Sequence, residues 1–487
     1  MLKQFRVSIA SLFMLVLIPG PSLAQQPQND YRDLAKVVLD ELKETNTPGA
    51  AVAIVSGDRV IYAKGFGVAN MDTGAVVTPN MLFRVGSITK MLTATVLVSL
   101  SEEEKIALDA PVGVYVKGFS PRLSRVTAHQ LMSHSAGIID YAHSCCAQNE
   151  EALVTQVHAL TDDDYFFTEP GRIFSYSNPS FIIAGYIIQE LTGKPYADAM
   201  NERLFQPLGM THTTFRPTVA MTFPLSQGHD ATGTAKPTVV RPFVNNVGDW
   251  PAGFAYTNVF DLARFTIAFM NGGRINGKQV LSPSLIATLS KPYADVPFSW
   301  NVPAGFLEGA KYGHGFFIQE HRGLSILHHG GTIPGFGAFL VMVPAHKFAV
   351  IVLANKTASI LGKTTEKAME LMLPLKTKPA ARRQPTMPMT LAEMESYAGT
   401  YVNGAFKIKL FVKDGKLFRH DFYPTTVEEG PGREYEAPVT KVGANRFAFT
   451  PPGDSVPTEF VLVPGPGGKV EYLHSALETA SKVEAQP

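Results

Sequence analysis

Apolar residues recur at two periods along the chain, and the period changes from helical to strand-like early on. Between Leu34 and Leu42 the apolar positions follow the spacing of one helix face. The segments 49–54 and 59–63 are largely apolar and flank a Gly-Asp pair, which is typical of two strands joined in a hairpin. The pattern therefore predicts a helix followed by two antiparallel strands.

The middle of the chain has the pattern of helices and loops, and strand patterns resume in the second half. The predicted strands there are 315–318, 324–328, 338–343 and 348–353. Strands from both ends of a long region, with helices between them, suit one antiparallel sheet flanked by helices. We therefore predict an α/β (α+β) sandwich over residues 28–375.

The C-terminal part of the chain has a different pattern. The segment 376–390 is rich in Pro, Lys and Arg and lacks periodicity, which indicates a linker. From 406 to 412 every second residue is apolar, and the run enters an Asp-Gly turn, as in a half-buried strand of a tight hairpin. Further strands are predicted at 447–449 and 460–463. Residues 391–480 are therefore predicted to form a small all-β domain.

The composition is that of an ordinary globular protein. Of the 487 residues, 45% are hydrophobic and 17% are charged, which excludes a disordered or fibrous chain. Residues 1–24 resemble a secretory signal peptide, with the basic Lys3 and Arg6, an apolar stretch and a small-residue cleavage site ending at Ala24. We therefore expect the mature protein to be periplasmic or secreted.

The charge and hydropathy of the chain limit which partners it can bind. The apolar stretch of the leader is too short for a bilayer, and no later segment reaches roughly 18 apolar residues, so no stable membrane anchor is predicted. Removing the leader takes away two positive charges and no negative one, so the formal net charge changes from +1 to −1. No basic stripe remains, which argues against nucleic acid as a partner. The adjacent Cys145 and Cys146 suit a local loop feature better than a disulfide or a metal site.

Ser87 and Lys90 are the pair of residues with the clearest chemical meaning. They lie one helical turn apart, at the start of a helix predicted from the apolar run 91–100. Free backbone N–H groups and the helix dipole favour a developing alkoxide at that end. A partly buried lysine beside it can take or shuttle the proton. The spacing alone also fits an ordinary helix, but it occurs once in the chain and has two companions downstream.

Tyr176 and Asn178 form the first companion. They follow a Pro-Gly turn and precede an apolar helix at 181–191, which places them on a loop able to line a cleft. An ammonium ion beside a phenol favours the phenolate, so Tyr176 can relay the proton from Ser87 to the leaving group. The Asn178 amide can hold a substrate carbonyl and Lys90 together. Without Ser87, a surface turn would explain the same residues.

His329, Gly330, Gly331 and Thr332 form the second companion. Small residues after a basic one on a strand let another backbone approach closely, as a substrate beside an edge strand requires. The backbone N–H groups of Thr332 and Ser87 can together form an oxyanion hole. Taken alone, His-Gly-Gly is most often a turn.

Together and in this order, the three elements resemble the active site of the serine β-lactamase and penicillin-binding protein family. The most similar branch holds class C β-lactamases, D-Ala-D-Ala carboxypeptidases and family VIII esterases. The resemblance extends from about residue 31 to 375 and includes the stretches 131–138, 204–210 and 251–254. It implies the α/β sandwich of that family, and the C-terminal β domain resembles the lipocalin-like barrels of some members.

The resemblance implies a role for each site residue. Ser87 would be the acylated nucleophile, Lys90 its proton partner and Tyr176 the general base. Asn178 would position the substrate, and His329 would belong to the third element. No metal or organic cofactor is implied.

The third element departs from the β-lactamase pattern, because Lys-Thr-Gly occurs nowhere in the chain and His329 stands at that place. An unperturbed histidine pKa of about 6.5 leaves it neutral much of the time near pH 7, with its charge change inside the working pH range. It would therefore anchor a substrate carboxylate less firmly than lysine does. His134, in a Ser/Gly loop, is expected to be a structural hydrogen-bonder.

We therefore expect an exported serine hydrolase that acts through an acyl-enzyme on amide or ester bonds, in a D-amino-acid peptide or a small ester. The expected partner is a small-molecule or peptide substrate, with peptidoglycan-derived material among the candidates, and the oligomeric state is left open. A β-lactamase and a non-catalytic cell-wall or ligand-binding module are the alternatives.

Overall fold

The computed structural model describes most of the chain. The described residues are 31–140, 147–160, 165–231, 235–297, 309–378, 386–423, 432–454 and 457–483. The predicted leader, Cys145, Cys146 and residues 379–385 of the predicted linker lie outside them. Helices and strands are numbered in chain order.

The larger part of the described chain is built around one antiparallel sheet. The strands in this part are β1 (Gly49–Ser56), β2 (Arg59–Asn70), β3 (Ala75–Val76), β4 (Phe83–Arg84), β5 (His229–Asp230), β6 (Thr238–Val239), β7 (Tyr256–Thr257), β8 (Arg274–Ile275), β9 (Lys278–Gln279), β10 (Ala294–Asp295), β11 (Lys311–Tyr312), β12 (Phe317–His321), β13 (Leu324–Ile333), β14 (Phe336–Val343) and β15 (Phe348–Ala354). Within the described residues the main sheet has the order β10-β11-β12-β13-β14-β15-β1-β2-β3.

Helices cover both faces of this sheet. They are α1 (Arg32–Glu44), α2 (Thr89–Glu102), α3 (Pro121–Arg125), α4 (Ala128–Met132), α5 (Ala152–His158), α6 (Asn178–Thr192), α7 (Tyr196–Met200), α8 (Gln206–Leu208), α9 (Pro217–Ala220), α10 (Trp250–Gly253), α11 (Val259–Met270), α12 (Pro283–Ser290) and α13 (Gly362–Met372), with α14 (Leu391–Tyr397) further on. A 3₁₀ turn, Gly86–Ile88, leads directly into α2.

The central strands are buried on both faces, which explains their content of Ala, Val and Ile. Along β1, Ala51 and Ala53 join the core that contains α2, whereas Val52 and Ile54 join the core that contains α1 and α13. Successive residues of a strand point to opposite faces, so one strand serves two cores. The predicted sandwich of helices around an antiparallel sheet is confirmed.

Helix α2 lies inside the larger core, and this position brings its first turn to the sheet. Met91, Leu92 and Leu97 are fully buried, and the 3₁₀ turn before α2 packs against β13 and β14. A helix that is apolar on most sides belongs in the interior of a large domain. The residues of the helix start are therefore held by packing rather than by a surface loop.

The C-terminal part forms a second antiparallel sheet that closes almost into a barrel. Its strands are β16 (Gly399–Asn403), β17 (Phe406–Lys413), β18 (Lys416–Tyr423), β19 (Arg433–Pro438), β20 (Thr440–Lys441), β21 (Arg446–Phe449), β22 (Thr458–Pro464), β23 (Val470–Ser475) and β24 (Glu478–Val483). Among the described residues their order is β19-β18-β17-β16-β24-β23-β22-β21-β20. The predicted C-terminal all-β fold is confirmed.

A buried ion pair lies in the interior of this barrel-like domain. Arg419 Nε donates to Asp421 Oδ1 at 2.6 Å, and both side chains are 0% exposed. The guanidinium also stacks on Phe449, 4.1 Å from the ring centroid. The interior is therefore filled by aromatic side chains and a paired charge.

In the part of the chain that the structure describes, no helix is both long enough and apolar enough to cross a membrane.

Candidate active site

Ser87 and Lys90 meet at the start of α2, as the sequence predicts. Ser87 lies half-buried in the 3₁₀ turn, and Lys90 is 0% exposed. The Lys90 Nζ donates to Ser87 Oγ at 3.2 Å, to Asn178 Oδ1 at 2.6 Å and to the Ala252 carbonyl at 2.8 Å. These three bonds match the three donors of an ammonium group and aim the nitrogen at the serine hydroxyl.

Tyr176 faces the same hydroxyl from the loop before α6. Its side chain hydrogen-bonds Ser87, and the Lys90 Nζ lies 4.8 Å from the centroid of its ring. Burial raises the pKa of Tyr176, the bond to Ser87 opposes this, and the charge of Asp140 raises the pKa further. From the sequence, the nearby ammonium is expected to favour the phenolate, but burial of the phenol raises its pKa instead. Tyr176 is therefore a neutral phenol in this structure.

Asn178 is held at the first turn of α6 by a residue that the sequence analysis did not single out. Asp140 Oδ1 accepts from the Asn178 backbone N–H at 2.9 Å, and Asp140 Oδ2 accepts from Asn178 Nδ2 at 3.2 Å. These bonds fix the orientation of the amide, so that its oxygen faces Lys90. Asp140 lies two residues beyond the stretch 131–138, and no local pattern distinguishes it from an ordinary loop aspartate.

The third element lies in strand β13 rather than in a turn, because β13 extends to Ile333. A β-carbon on Gly331 would lie 1.9 Å from the Val85 carbonyl oxygen, and one on Gly86 would lie 2.5 Å from the Thr332 nitrogen. The two glycines therefore let the strand and the 3₁₀ turn approach within backbone contact.

The same approach brings two candidate oxyanion donors together. Thr332 is paired with Gly337 next to the two-residue turn that closes the β13–β14 hairpin, so its N–H points away from β14. On that side of β13 lies the turn that carries Ser87. The structure thus brings the backbone of Thr332 next to the turn that carries Ser87, and two backbone N–H groups close together are what an oxyanion hole requires.

His329 differs from the sequence expectation in its protonation. It is 2% exposed, its Nδ1–H donates to the Gly330 carbonyl at 2.5 Å, and its Nε2 accepts from the Tyr312 hydroxyl at 2.9 Å. Burial, together with the smaller effect of the charge of Lys90, lowers the pKa of His329 to about 3, although the hydrogen bond to the Gly330 carbonyl opposes this. The imidazole is therefore neutral throughout the working pH range, instead of titrating near pH 6.5. Tyr312, in strand β11, orients this ring.

His134 supports the loop of Tyr176 from behind. Its Nδ1 accepts from the Ser177 N–H at 3.1 Å, and its ring lies 4.2 Å from the ring of Tyr176. Burial and then the charge of Lys90 lower the pKa of His134, so it stays neutral. The prediction that His134 is a structural hydrogen-bonder is confirmed.

Comparison with known proteins identifies the family to which the chain belongs. A family model described as Beta-lactamase matches residues 34–368, so the chain belongs to the β-lactamase family, which has a serine hydrolase fold. The "Protein flp" of Staphylococcus aureus (strain N315) is 25% identical over 346 residues, which cover 69% of this chain and 66% of that protein. The chain thus spans slightly less than two thirds of the length of this curated relative.

Solved structures share the fold. SurE matches with a TM-score of 0.74 at 19% identity and covers 93% of this chain and 98% of its own, so the likeness includes the C-terminal β domain. The D-amino acid amidase from Ochrobactrum anthropi SV3 matches with a TM-score of 0.58 at 20% identity, over 70% of this chain and 98% of its own. At these identities, the likeness establishes the fold alone.

Proposed function

We propose that this protein is an exported serine hydrolase that cleaves amide or ester bonds through an acyl-enzyme at Ser87. The proposal is carried by the buried Lys90 Nζ, which bonds Ser87 and Asn178 while Tyr176 hydrogen-bonds the same Ser87 side chain. Two proton carriers thus converge on one half-exposed hydroxyl, which is what an activated serine needs. Export is proposed from the leader in residues 1–24.

In the acylation step, Ser87 Oγ bonds the substrate carbonyl carbon and its proton passes to the phenol oxygen of Tyr176, while the Lys90 ammonium stays charged and holds Ser87 Oγ in place. Tyr176, a neutral phenol, gives its own proton to the leaving nitrogen or oxygen as it takes the one from Ser87, so the phenol is regenerated. The carbonyl oxygen carries negative charge meanwhile and accepts from the N–H groups of Ser87 and Thr332. The bond to the leaving group then breaks, and an ester remains on Ser87.

Water completes the cycle. Its oxygen bonds the acyl carbon, and one of its protons passes to the Lys90–Tyr176 pair. The ester bond to Ser87 then breaks, and the pair returns the proton to Ser87 Oγ. The product is a carboxylic acid, and the enzyme regains its starting protonation.

We propose D-amino-acid peptides or small esters as the substrate class. His329 is neutral and buried, so the third element supplies no cation for the carboxylate of a β-lactam. A D-amino acid amidase of the same fold supports the amide-bond part of this proposal. A β-lactamase and a non-catalytic binding module remain as outcomes of the test.

The test combines covalent labelling with a substrate panel. We expect a fluorophosphonate to label the wild type at Ser87, and p-nitrophenyl esters and D-amino-acid peptides to be turned over faster than a chromogenic cephalosporin. A binding module without chemistry would give no adduct. Cephalosporin turnover far above the other two classes would reverse the substrate assignment.

Substitution of the site residues gives the first prediction. Ser87→Ala should abolish labelling, and Lys90→Ala and Tyr176→Phe should each slow it by about 10²–10⁴-fold. Because Lys90 and Tyr176 act as one proton-transfer unit, the labelling rate of the variant with both substitutions should fall by far less than the product of the two single factors. Ser101→Ala, a half-buried serine on the same helix, is the matched control. Wild-type rates in Ser87→Ala would refute the assignment.

A further inference from the structure

The turn between β23 and β24, residues 475–478, extends from the C-terminal domain to the loop that carries Tyr176. The Tyr176 backbone N–H donates to the Leu477 carbonyl at 2.9 Å. Next to it, the Thr479 N–H donates to Ser175 Oγ at 3.1 Å, and Thr479 Oγ1 donates to the Phe174 carbonyl at 2.7 Å. Residues 174, 175 and 176 of the loop are therefore each hydrogen-bonded, either by the 475–478 turn or by Thr479, which follows it.

The side chain of Leu477 adds an apolar contact with the site. It packs against a buried cluster that includes Phe174, Tyr176 and Tyr312. Tyr312 in turn donates to His329. One leucine from the second domain thus supports both the proposed proton relay and the third element.

The 475–478 turn is itself held in place by the domain from which it extends. Ser475 Oγ accepts from Arg419 Nη1 at 3.2 Å, and Arg419 is paired with Asp421 in the barrel interior. On the other strand, Asn403 Nδ2 donates to the Thr479 carbonyl at 2.7 Å. The position of the turn therefore follows from the buried core of the barrel, not from a mobile loop tip.

The opposite side of the Tyr176 loop is bound by His134. The Ser175 N–H donates to the His134 carbonyl at 2.8 Å, and His134 Nδ1 accepts from the Ser177 N–H. The loop therefore lies between two supports, one from each domain. Removal of either one leaves the phenol free to move relative to Ser87.

We propose that the 475–478 turn is a positioning element for Tyr176, so that the C-terminal β domain takes part in catalysis without touching the reacting atoms. This inference rests on the proposed function, because it gives Tyr176 a role in proton transfer. A displacement of about 1 Å at a catalytic group can cost on the order of 10²-fold in rate. The sequence alone assigns no role to this domain.

The test measures the rate of Ser87 labelling by a fluorophosphonate in full-length variants. Leu477→Ala and Thr479→Val should each slow labelling by about 10–100-fold, with little change in the KM of a small p-nitrophenyl ester. Leu477→Met, which keeps an apolar side chain of similar volume, should stay within about threefold of the wild type. Phe422→Ala removes an exposed apolar side chain of the same domain and serves as the matched control, with wild-type rates.

A double-mutant cycle distinguishes positioning from general destabilisation. In the Tyr176→Phe background, Leu477→Ala should cost less than about threefold, because the phenolic hydroxyl that it positions is already absent. An equal loss in both backgrounds, or wild-type rates for both turn variants, would overturn the inference and leave the proposed function intact. Failure of the fluorophosphonate to label Ser87 in the wild type would instead contradict both the inference and the proposed function.

Discussion

At the residue scale, the site is composed of polar groups whose protonation follows from burial. Desolvation is the leading cause of the raised pKa of Tyr176 and of the lowered pKa values of His134 and His329. Each of these groups is therefore neutral near pH 7. The sequence predicts which residues meet, but a pKa depends on the packing of segments that are distant in the chain.

The lowered pKa of His329 predicts a pH-dependent stability. An unfolded histidine has a pKa of about 6.5, so between that value and about 3 the unfolded chain binds more protons. The contribution of this group to stability is complete above pH 6.5 and is lost as the pH falls toward 3. We expect the Tm to fall between pH 7 and pH 4, and to fall less in His329→Gln.

His346→Gln, at an exposed histidine, is the control and should follow the wild-type curve. The kcat/KM should not rise or fall near pH 6.5 through titration of His329. His329→Lys should lower the Tm, because it buries a second cation beside Lys90. A change in kcat/KM near pH 6.5 that disappears in His329→Gln would contradict the conclusion that the imidazole is buried and neutral.

At the element scale, the decisive contact is the docking of strand β13 on the 3₁₀ turn of Ser87. The contact depends on two positions without a side chain, Gly331 in the strand and Gly86, at φ +51°, in the turn. The backbones of the two elements are thereby in direct contact. From the sequence, these small residues are expected to let a substrate backbone approach the strand; their contact with the turn of Ser87 was not predicted.

The strand contact gives a prediction with a control in the same strand. An added methyl group at Gly331 meets the Val85 carbonyl at 1.9 Å, whereas one at Gly330 has 3.8 Å of space. Gly331→Ala should destabilise the protein by about 1–3 kcal/mol and slow Ser87 labelling. Gly330→Ala should keep the wild-type Tm. Equal melting temperatures for the two variants, measured by thermal denaturation, would exclude the tight approach.

Sequence patterns predict the motifs because each has a local signal, such as a helix start, a Pro-Gly turn or a glycine pair. Asp140 and Leu477 have no such signal. Asp140 reaches Asn178 across 38 residues, and the turn of Leu477 reaches the Tyr176 loop across about 300 residues. Contacts of this kind depend on how whole domains pack, so they emerge from the structure alone.

At the scale of the whole molecule, the two sheets form separate cores that meet at the Tyr176 loop. Ser481 Oγ donates to the Phe167 carbonyl at 2.8 Å, and the hydroxyls of Tyr472 and Thr168 are bonded at 2.8 Å. Polar contacts thus continue along this loop toward Tyr176. The stability of the barrel interior is therefore a condition for the geometry of the site.

The buried ion pair of the barrel predicts a large loss of stability when one of its two residues is changed. Asp421→Asn removes the carboxylate that pairs with the buried Arg419, which should cost about 3–5 kcal/mol in the free energy of unfolding. Glu436→Gln breaks the exposed pair with Lys413 and should cost about 1 kcal/mol or less. Urea denaturation of both variants makes the comparison. Equal effects would mean that the interior pair is solvated.

The bond between Leu477 and Tyr176 also affects when the geometry of the site is completed during synthesis of the chain. Ser175 and Thr479 are separated by 304 positions, so most of the polypeptide must be made before the Tyr176 loop gains its second support. Contacts between distant positions form late in folding. A chain that emerges from its amino end would hold Ser87, Lys90 and Tyr176 for some time without the full geometry. The hydrolase activity proposed for this site would then arise only once the last strands of the C-terminal domain are in place.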